Sequence, residues 1–197
     1  MDHHLIGALI TFAFVSTITP GPNNIMLASS GANFGFQRTI PHMLGIGLGF
    51  SFMVLLIGIG LIQVFDLYPA SYSILKTVSI AYLVYLAYKI ATTQNGKESQ
   101  SQGKPLSFLQ AASFQWVNPK AWSMALTAMS AYTPSHNINA IVLCAIIFAL
   151  VNLPSVSFWT LMGQQSRQLL SNPRRLKAFN ITMAGLLIAS IYPLLFS

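Results

Sequence analysis

Apolar residues gather in six long runs separated by short polar segments, at roughly residues 4–30, 40–64, 70–92, 107–132, 138–164 and 175–196. Each run is near the roughly 20 residues that a membrane-spanning helix needs. The pattern predicts an all-α integral membrane protein with six transmembrane helices. The longest connection, residues 93–106 (TQNGKESQSQGKPL), is polar and rich in Gly, Ser and Gln, as expected of a flexible linker. It divides the chain into a first unit, 1–92, and a second, 107–197, each with three runs. Three is odd, so the second unit enters the membrane from the opposite side. If the units share a fold, they form a 3+3 inverted-topology repeat, the architecture of many secondary transporters.

Composition narrows the reading. Hydrophobic residues are 54% of the chain and charged residues 7%, where a soluble domain carries about a quarter. So few charges argue against a soluble enzyme, and so much apolar sequence argues against disorder. The net charge is +7, but the cations are scattered singly, without the patch that binds nucleic acid. Cys144 is the single cysteine, which excludes an intrachain disulfide and a cysteine-based zinc site. The start of the chain, Asp2-His3-His4, lacks the basic region of a cleaved signal peptide.

The cations also set an orientation. Arg38 follows the first run; Lys89, Lys97 and Lys104 follow the third; Arg167, Arg174, Arg175 and Lys177 follow the fifth. The connections around Asp66 and around Pro134–Asn137 hold no Lys or Arg. By the positive-inside rule, both termini face away from the cytoplasm and the 93–106 linker is cytoplasmic.

Two runs contain breaks. The first carries Thr19-Pro20-Gly21-Pro22-Asn23-Asn24, and the fourth carries Gln115-Trp116-Val117-Asn118-Pro119-Lys120. Proline lacks the N–H that a helix interior requires and clashes with the preceding turn. The carbonyls it frees are tolerated within a bilayer only against protein or a wet cavity. At about 1.5 Å per residue, Pro22 lies roughly 25 Å into its run and Pro119 roughly 18 Å into its own. Paired interruptions at corresponding places in two halves point to a transporter binding site. Pro20, Gly21, Pro22, Asn23, Asn24, Asn118 and Pro119 are therefore candidate substrate-binding residues. The fifth run adds a third polar interruption, Asn152-Leu153-Pro154-Ser155, from which Asn152 joins the candidates. A plain kink in a packed helix is the alternative at each break, and at Pro154 alone it is the favoured one.

Lys120 is the strongest single candidate. It sits roughly 20 Å from the start of its run, too deep to reach water easily. An intramembrane lysine costs at least about 2.5 kcal/mol to insert and is a functional-site hypothesis by default. The three acidic residues, Asp2, Asp66 and Glu98, all fall outside the runs. A substrate carboxylate is the partner that fits. The structural alternative is a lysine bonded to helix-end carbonyls. Lys76, about 9 Å inside its run, can snorkel. His42 is a candidate proton carrier, or an ordinary interface histidine. Gly45 and Gly49 form a G-x-x-x-G that permits close helix approach within the chain or in a homodimer. Trp116 and Trp122 flank the second break and either wall a pocket or simply pack.

These residues bring the chain to a family. It resembles the LysE/RhtB amino-acid exporters over essentially its whole length. The resemblance is carried by the TPGPNN stretch (Thr19 to Asn24), the glycine-rich second run (Gly45 to Gly60), Ala81 to Leu86 with the pattern A-Y-L-x-Y-L, and Asn118-Pro119-Lys120. It implies inner-membrane efflux of amino acids or close derivatives, driven by an ion gradient, with H+ as the coupling ion and no cofactor. Many members carry an aspartate after the second-run glycines, where this chain has Phe50, and glycines where it has Ser79 and Ala87. The missing acid weakens the case for a cationic substrate. The pattern looks closest to the branch exporting cysteine and O-acetylserine, with homoserine and threonine as neighbouring substrates. A zwitterion is expected between the two breaks, its carboxylate on Lys120 and its ammonium on freed carbonyls and asparagine oxygens. One alternative is a divalent-metal exporter, for which the runs offer no carboxylate and one cysteine as ligands. A membrane enzyme needs a nucleophile and base that the runs lack. A non-transporting membrane assembly subunit is the other alternative, against which the buried polar breaks argue.

Overall fold

The computed structural model describes residues 3–61, 63, 67–68, 70–92, 104–133, 137–166, 170 and 172–192. Most of the linker, Asp2, Asp66, Pro134–His136 and Arg167 lie outside these. Helix is the only regular secondary structure among the described residues, which contain no strand. In chain order the helices are α1 His3–Ile18, α2 Pro22–Phe34, α3 Phe36–Leu56, α4 Ala70–Ala91, α5 Phe108–Phe114, α6 Pro119–Tyr132, α7 Ile138–Ser166 and α8 Pro173–Ala189. A wide turn, Ile57–Leu61, extends α3, and a 3-10 turn, Gln115–Val117, joins α5 to α6.

The predicted breaks divide the helices. Pro22, Pro119 and Pro173 each stand at a helix start, where a missing N–H has no consequence. The α1 and α2 axes differ by 54°. Among the described residues, three continuous stretches are long and apolar enough to cross a membrane: Phe36–Leu61, Ser73–Ala91 and Ile138–Ser166. The bent pair α1–α2 makes a fourth. The fourth run is too divided, and α8 with 17 residues too short, to add to that number.

One expectation needs correction. The polar gap predicted at 31–39 is not a loop. α2 ends and α3 begins around Gly35, whose φ of 82° lets one helix pass into the next at a single residue. The side-chain oxygen of Gln164 on α7 caps the Phe36 N–H at this corner. At Asn152–Ser155, where a kink is the favoured reading of Pro154, α7 runs on without interruption. One proline removes one helical hydrogen bond, which a long helix packed on several neighbours absorbs.

α7 is the hub, packing on α1, α2 and α3, while α5 lies on α3 and α4 lies on α8. Backbones touch where glycines allow it. A Cβ at Gly31 would collide with the Thr160 carbonyl, and one at Gly163 with the Ala28 carbonyl. The G-x-x-x-G face is used within the chain: a Cβ at Gly45 would strike the Phe108 carbonyl, and one at Gly49 would lie 2.6 Å from the Ala112 Cα. That face is therefore closed to a second copy.

The core has two parts. One joins α1, α3, α6 and α7 around Leu9, Met53, Ala125 and Phe148. The other joins α2, α3, α4, α5, α7 and α8 around Leu27, Ile46, Leu83, Phe114, Val156 and Leu187. The first core takes the helix before the first break and the helix after the second, and the second core takes the other pair. The breaks lie at the junction. Large apolar side chains such as Leu48, Phe52, Tyr88, Leu150 and Phe158 remain exposed on the outside. Such a surface suits lipid.

Candidate functional site

In an unbroken helix the carbonyls of residues 17–20 would accept from the N–H groups of residues 21–24. The break removes those donors, and side chains replace them. Thr17 O accepts from Asn24 Nδ2 at 2.7 Å and from Ser155 Oγ at 2.8 Å. Ile18 O accepts from Trp159 Nε1 at 2.9 Å. Thr19 O accepts from Asn24 Nδ2 at 2.7 Å and from Lys120 Nζ at 2.7 Å. Lys120 Nζ also donates to Thr19 Oγ1 at 2.9 Å and to Pro20 O at 3.3 Å. Gly21 is extended, and a Cβ there would lie 2.7 Å from the Lys120 Cδ. Glycine thus lets the lysine stem cross the break.

The second break closes more locally. The Asn118 N–H donates to Gln115 O at 3.3 Å, ending the 3-10 turn. The Asn118 side-chain oxygen caps α6 by accepting from the Lys120 N–H at 3.2 Å. Trp122 Nε1 donates to Trp116 O at 2.8 Å, with the two rings edge to face. These tryptophans brace the turn and do not line the cavity described next. Asn23 and Gln115 join the two breaks directly, exchanging amide hydrogen bonds of 2.9 and 3.2 Å.

Between the breaks lies a cavity of about 30 Å³, room for roughly one water molecule. Gly21, Asn23, Asn24, Asn118, Lys120 and Asn152 line it, so six of the predicted residues meet at one place. Pro20, Pro22 and Pro119 are not on its wall; they shape the backbone around it. Phe50 is on the wall, held edge-on against Phe148 at 5.1 Å. Among the described lining residues the only charge is that of Lys120.

Two expectations change here. The carbonyls freed by the prolines are not waiting for a substrate, because protein donors already fill them. Nor does Lys120 lack protein partners; it is bonded to helix-end carbonyls, the structural alternative raised above. His42 lies elsewhere, on α3, beside a separate and larger cavity with Lys89 and Lys104. Sequence reasoning passed over Gln115, Ser155 and Trp159. Gln115 carried a signal, as a polar residue three places before Asn118 in an apolar run. Ser155 stood out only as part of the polar interruption in the fifth run, and Trp159 carried no signal, because their role is to reach another helix.

A family model described as LysE type translocator matches residues 14–191. The cysteine/O-acetylserine efflux protein of Escherichia coli K12 is 33% identical over 192 residues, covering 95% of this chain and 96% of that protein. The protein of the same name from Shigella flexneri is 33% identical over 188 residues, covering 93% and 94%. No solved structure matches.

Proposed function

The chain belongs to the LysE family of translocators, and from that premise we propose that it exports small neutral amino acids or close derivatives. Cysteine, O-acetylserine, homoserine and threonine are the substrates proposed, moved out of the cytoplasm by alternating access. The relatives named for cysteine and O-acetylserine efflux favour this range.

One observation carries the reading. The Lys120 ammonium reaches from the second half onto the broken carbonyls of the first, across a small cavity with no acid among its described walls. In this arrangement the lysine ammonium occupies the place that a substrate ammonium would take. Moving the halves apart would withdraw Lys120 from Thr19 and Pro20. The substrate ammonium would then inherit those carbonyls, while its carboxylate pairs with the released lysine. The exchange leaves neither charge unpaired within the membrane, which keeps its cost low. Phe50, where the family resemblance points to an aspartate, leaves no countercharge for a cationic side chain.

The proposed architecture is six spans in two inverted halves, 1–92 and 107–197, joined by a cytoplasmic linker at 93–106. Both termini then face out of the cytoplasm, and the protein is multi-pass in the inner membrane. Its packing favours this reading. The opening helices of each half lie on the second helix of the other, α3 lies on α7, and α4 lies on α8. An exchange of equivalent halves produces that pattern. The proposed coupling ion is H+. With the three acidic residues outside the apolar runs, the proposed carrier is His42, which lines a cavity together with Lys89 and Lys104.

Counterflow in proteoliposomes tests the proposal. Wild type should exchange small neutral amino acids but not lysine. Lys120→Ala should slow exchange about a hundredfold, the equivalent of the roughly 3 kcal/mol that a hydrogen bond to a charged group can reach. Unchanged exchange in Lys120→Ala would remove the carboxylate role. Absence of exchange with every amino acid would remove the exporter reading itself.

A further inference from the structure

The second cavity has a volume of about 420 Å³, within the roughly 300–1,000 Å³ usual for small-molecule sites. It lies between α2, α3, α4 and the segment that leads into α5. Two of its polar side chains are nearly inaccessible, His42 at 1% exposure and Asn33 at 4%. Neither ring nitrogen of His42 has a hydrogen-bond partner, and neither does Asn33 Oδ1. The Asn33 amide nitrogen is engaged, donating to Ser29 O at 2.8 Å and Asn180 Oδ1 at 3.1 Å. That holds its oxygen as an unfilled acceptor. Buried polar atoms without partners cost about 1–3 kcal/mol each, so a native fold that keeps three beside one cavity calls for a reason. Lys89 and Lys104 supply positive charge on the same wall, and no described lining residue is acidic.

Acceptors held deep and cations on the same wall match the two ends of a zwitterion. We propose that this cavity is a loading site on the cationic side of the protein. There the amino acid binds before reaching the breaks, with its ammonium on Asn33 Oδ1 and the His42 imidazole and its carboxylate on Lys89 and Lys104. The proposal rests on the exporter reading and adds a second site to it. It also explains why the central cavity is too small for an amino acid: in this state the substrate's place is the larger cavity. Arg38, stacked over the Phe34 ring at 5.7 Å, adds positive charge beside the cavity wall.

The test is equilibrium binding of radiolabelled O-acetylserine to detergent-purified protein, paired with counterflow. Lys120→Ala should lose exchange yet bind within about threefold of wild type, because its lesion lies at the other site. His42→Leu should weaken binding about tenfold, as expected for loss of one hydrogen bond to a charged group. It should melt no lower than wild type, since it replaces two unpartnered nitrogens with an apolar group. Lys104→Gln, outside the helices, should weaken binding about threefold and leave the methyl ester of the same amino acid, which has no carboxylate, unaffected. If Lys120→Ala abolishes binding, or if His42→Leu and Lys104→Gln bind as wild type does while wild type exchanges normally, the loading site is wrong and the exporter reading stands. If wild type exchanges no amino acid at all, both fall.

Discussion

The break at Thr19–Asn24 and the break at Gln115–Lys120 both set proline beside asparagine, yet their loose backbone groups find partners in different ways. At the first, donors come from three helices: Asn24 on α2, Lys120 on α6, and Ser155 with Trp159 on α7. At the second, the 3-10 turn, the Asn118 cap and the Trp122 indole keep most bonds within eight residues, 115–122. The side chains that cross to the other break are the Gln115 amide and the Lys120 ammonium. The second break can therefore move as a piece that carries its own hydrogen bonds. The first belongs to the assembled bundle, and any movement of one half against the other must exchange its donors. That makes the first break the place where transport would be felt.

Three substitutions would break or sharpen this contrast. Gly163→Leu should do the most damage. It forces side-chain bulk between α7 and the Ala28 carbonyl of α2, and lifts Ser155 and Trp159 from their acceptors. Overpacking at such a contact costs about 3 kcal/mol, and a sharp fall in the midpoint of unfolding in mixed micelles would register it. Asn24→Leu comes next. It deletes two hydrogen bonds at the first break while Ser155 and Lys120 keep the same carbonyls partnered. A loss of about 2 kcal/mol, roughly 1 for each bond, is expected in the same assay. Asn118→Ala should cost least, about 1 kcal/mol for a lost helix cap, because the second break depends on its neighbours in sequence. If Asn118→Ala proved more damaging than Asn24→Leu, the contrast between a borrowed and a self-contained break would collapse.

The breaks themselves are legible in the amino-acid sequence. Proline has no N–H wherever it stands, so Pro22 and Pro119 had to open helices or interrupt them, and both open helices. Asn118 as a cap follows from the same local chemistry. Hydropathy located α4 and α7 closely, because a long apolar run has few alternatives. It missed the corner at Gly35, where two helices meet without a polar loop, since one glycine with positive φ leaves almost no trace in a window of many residues. At Pro154 the sequence leaves two readings, a break or the favoured kink, because whether one proline breaks a helix or merely bends it depends on what packs around it.

Some properties of this chain follow from residue chemistry wherever the chain is placed. Six apolar runs, two proline–asparagine breaks and one lysine deep in the fourth run are of this kind. Steric and hydrogen-bonding rules that act over a few residues are enough to read them. The partners of those groups are another matter. Lys120 finds Thr19 across 101 positions, and Ser155 finds Thr17 across 138. His42 and Lys120, both singled out on chemical grounds, stand beside different cavities. A freed carbonyl requires a donor, but it does not specify which one. That choice was made by the packing of helices, through glycine contacts that let α2 and α7 approach closely enough for their side chains to reach.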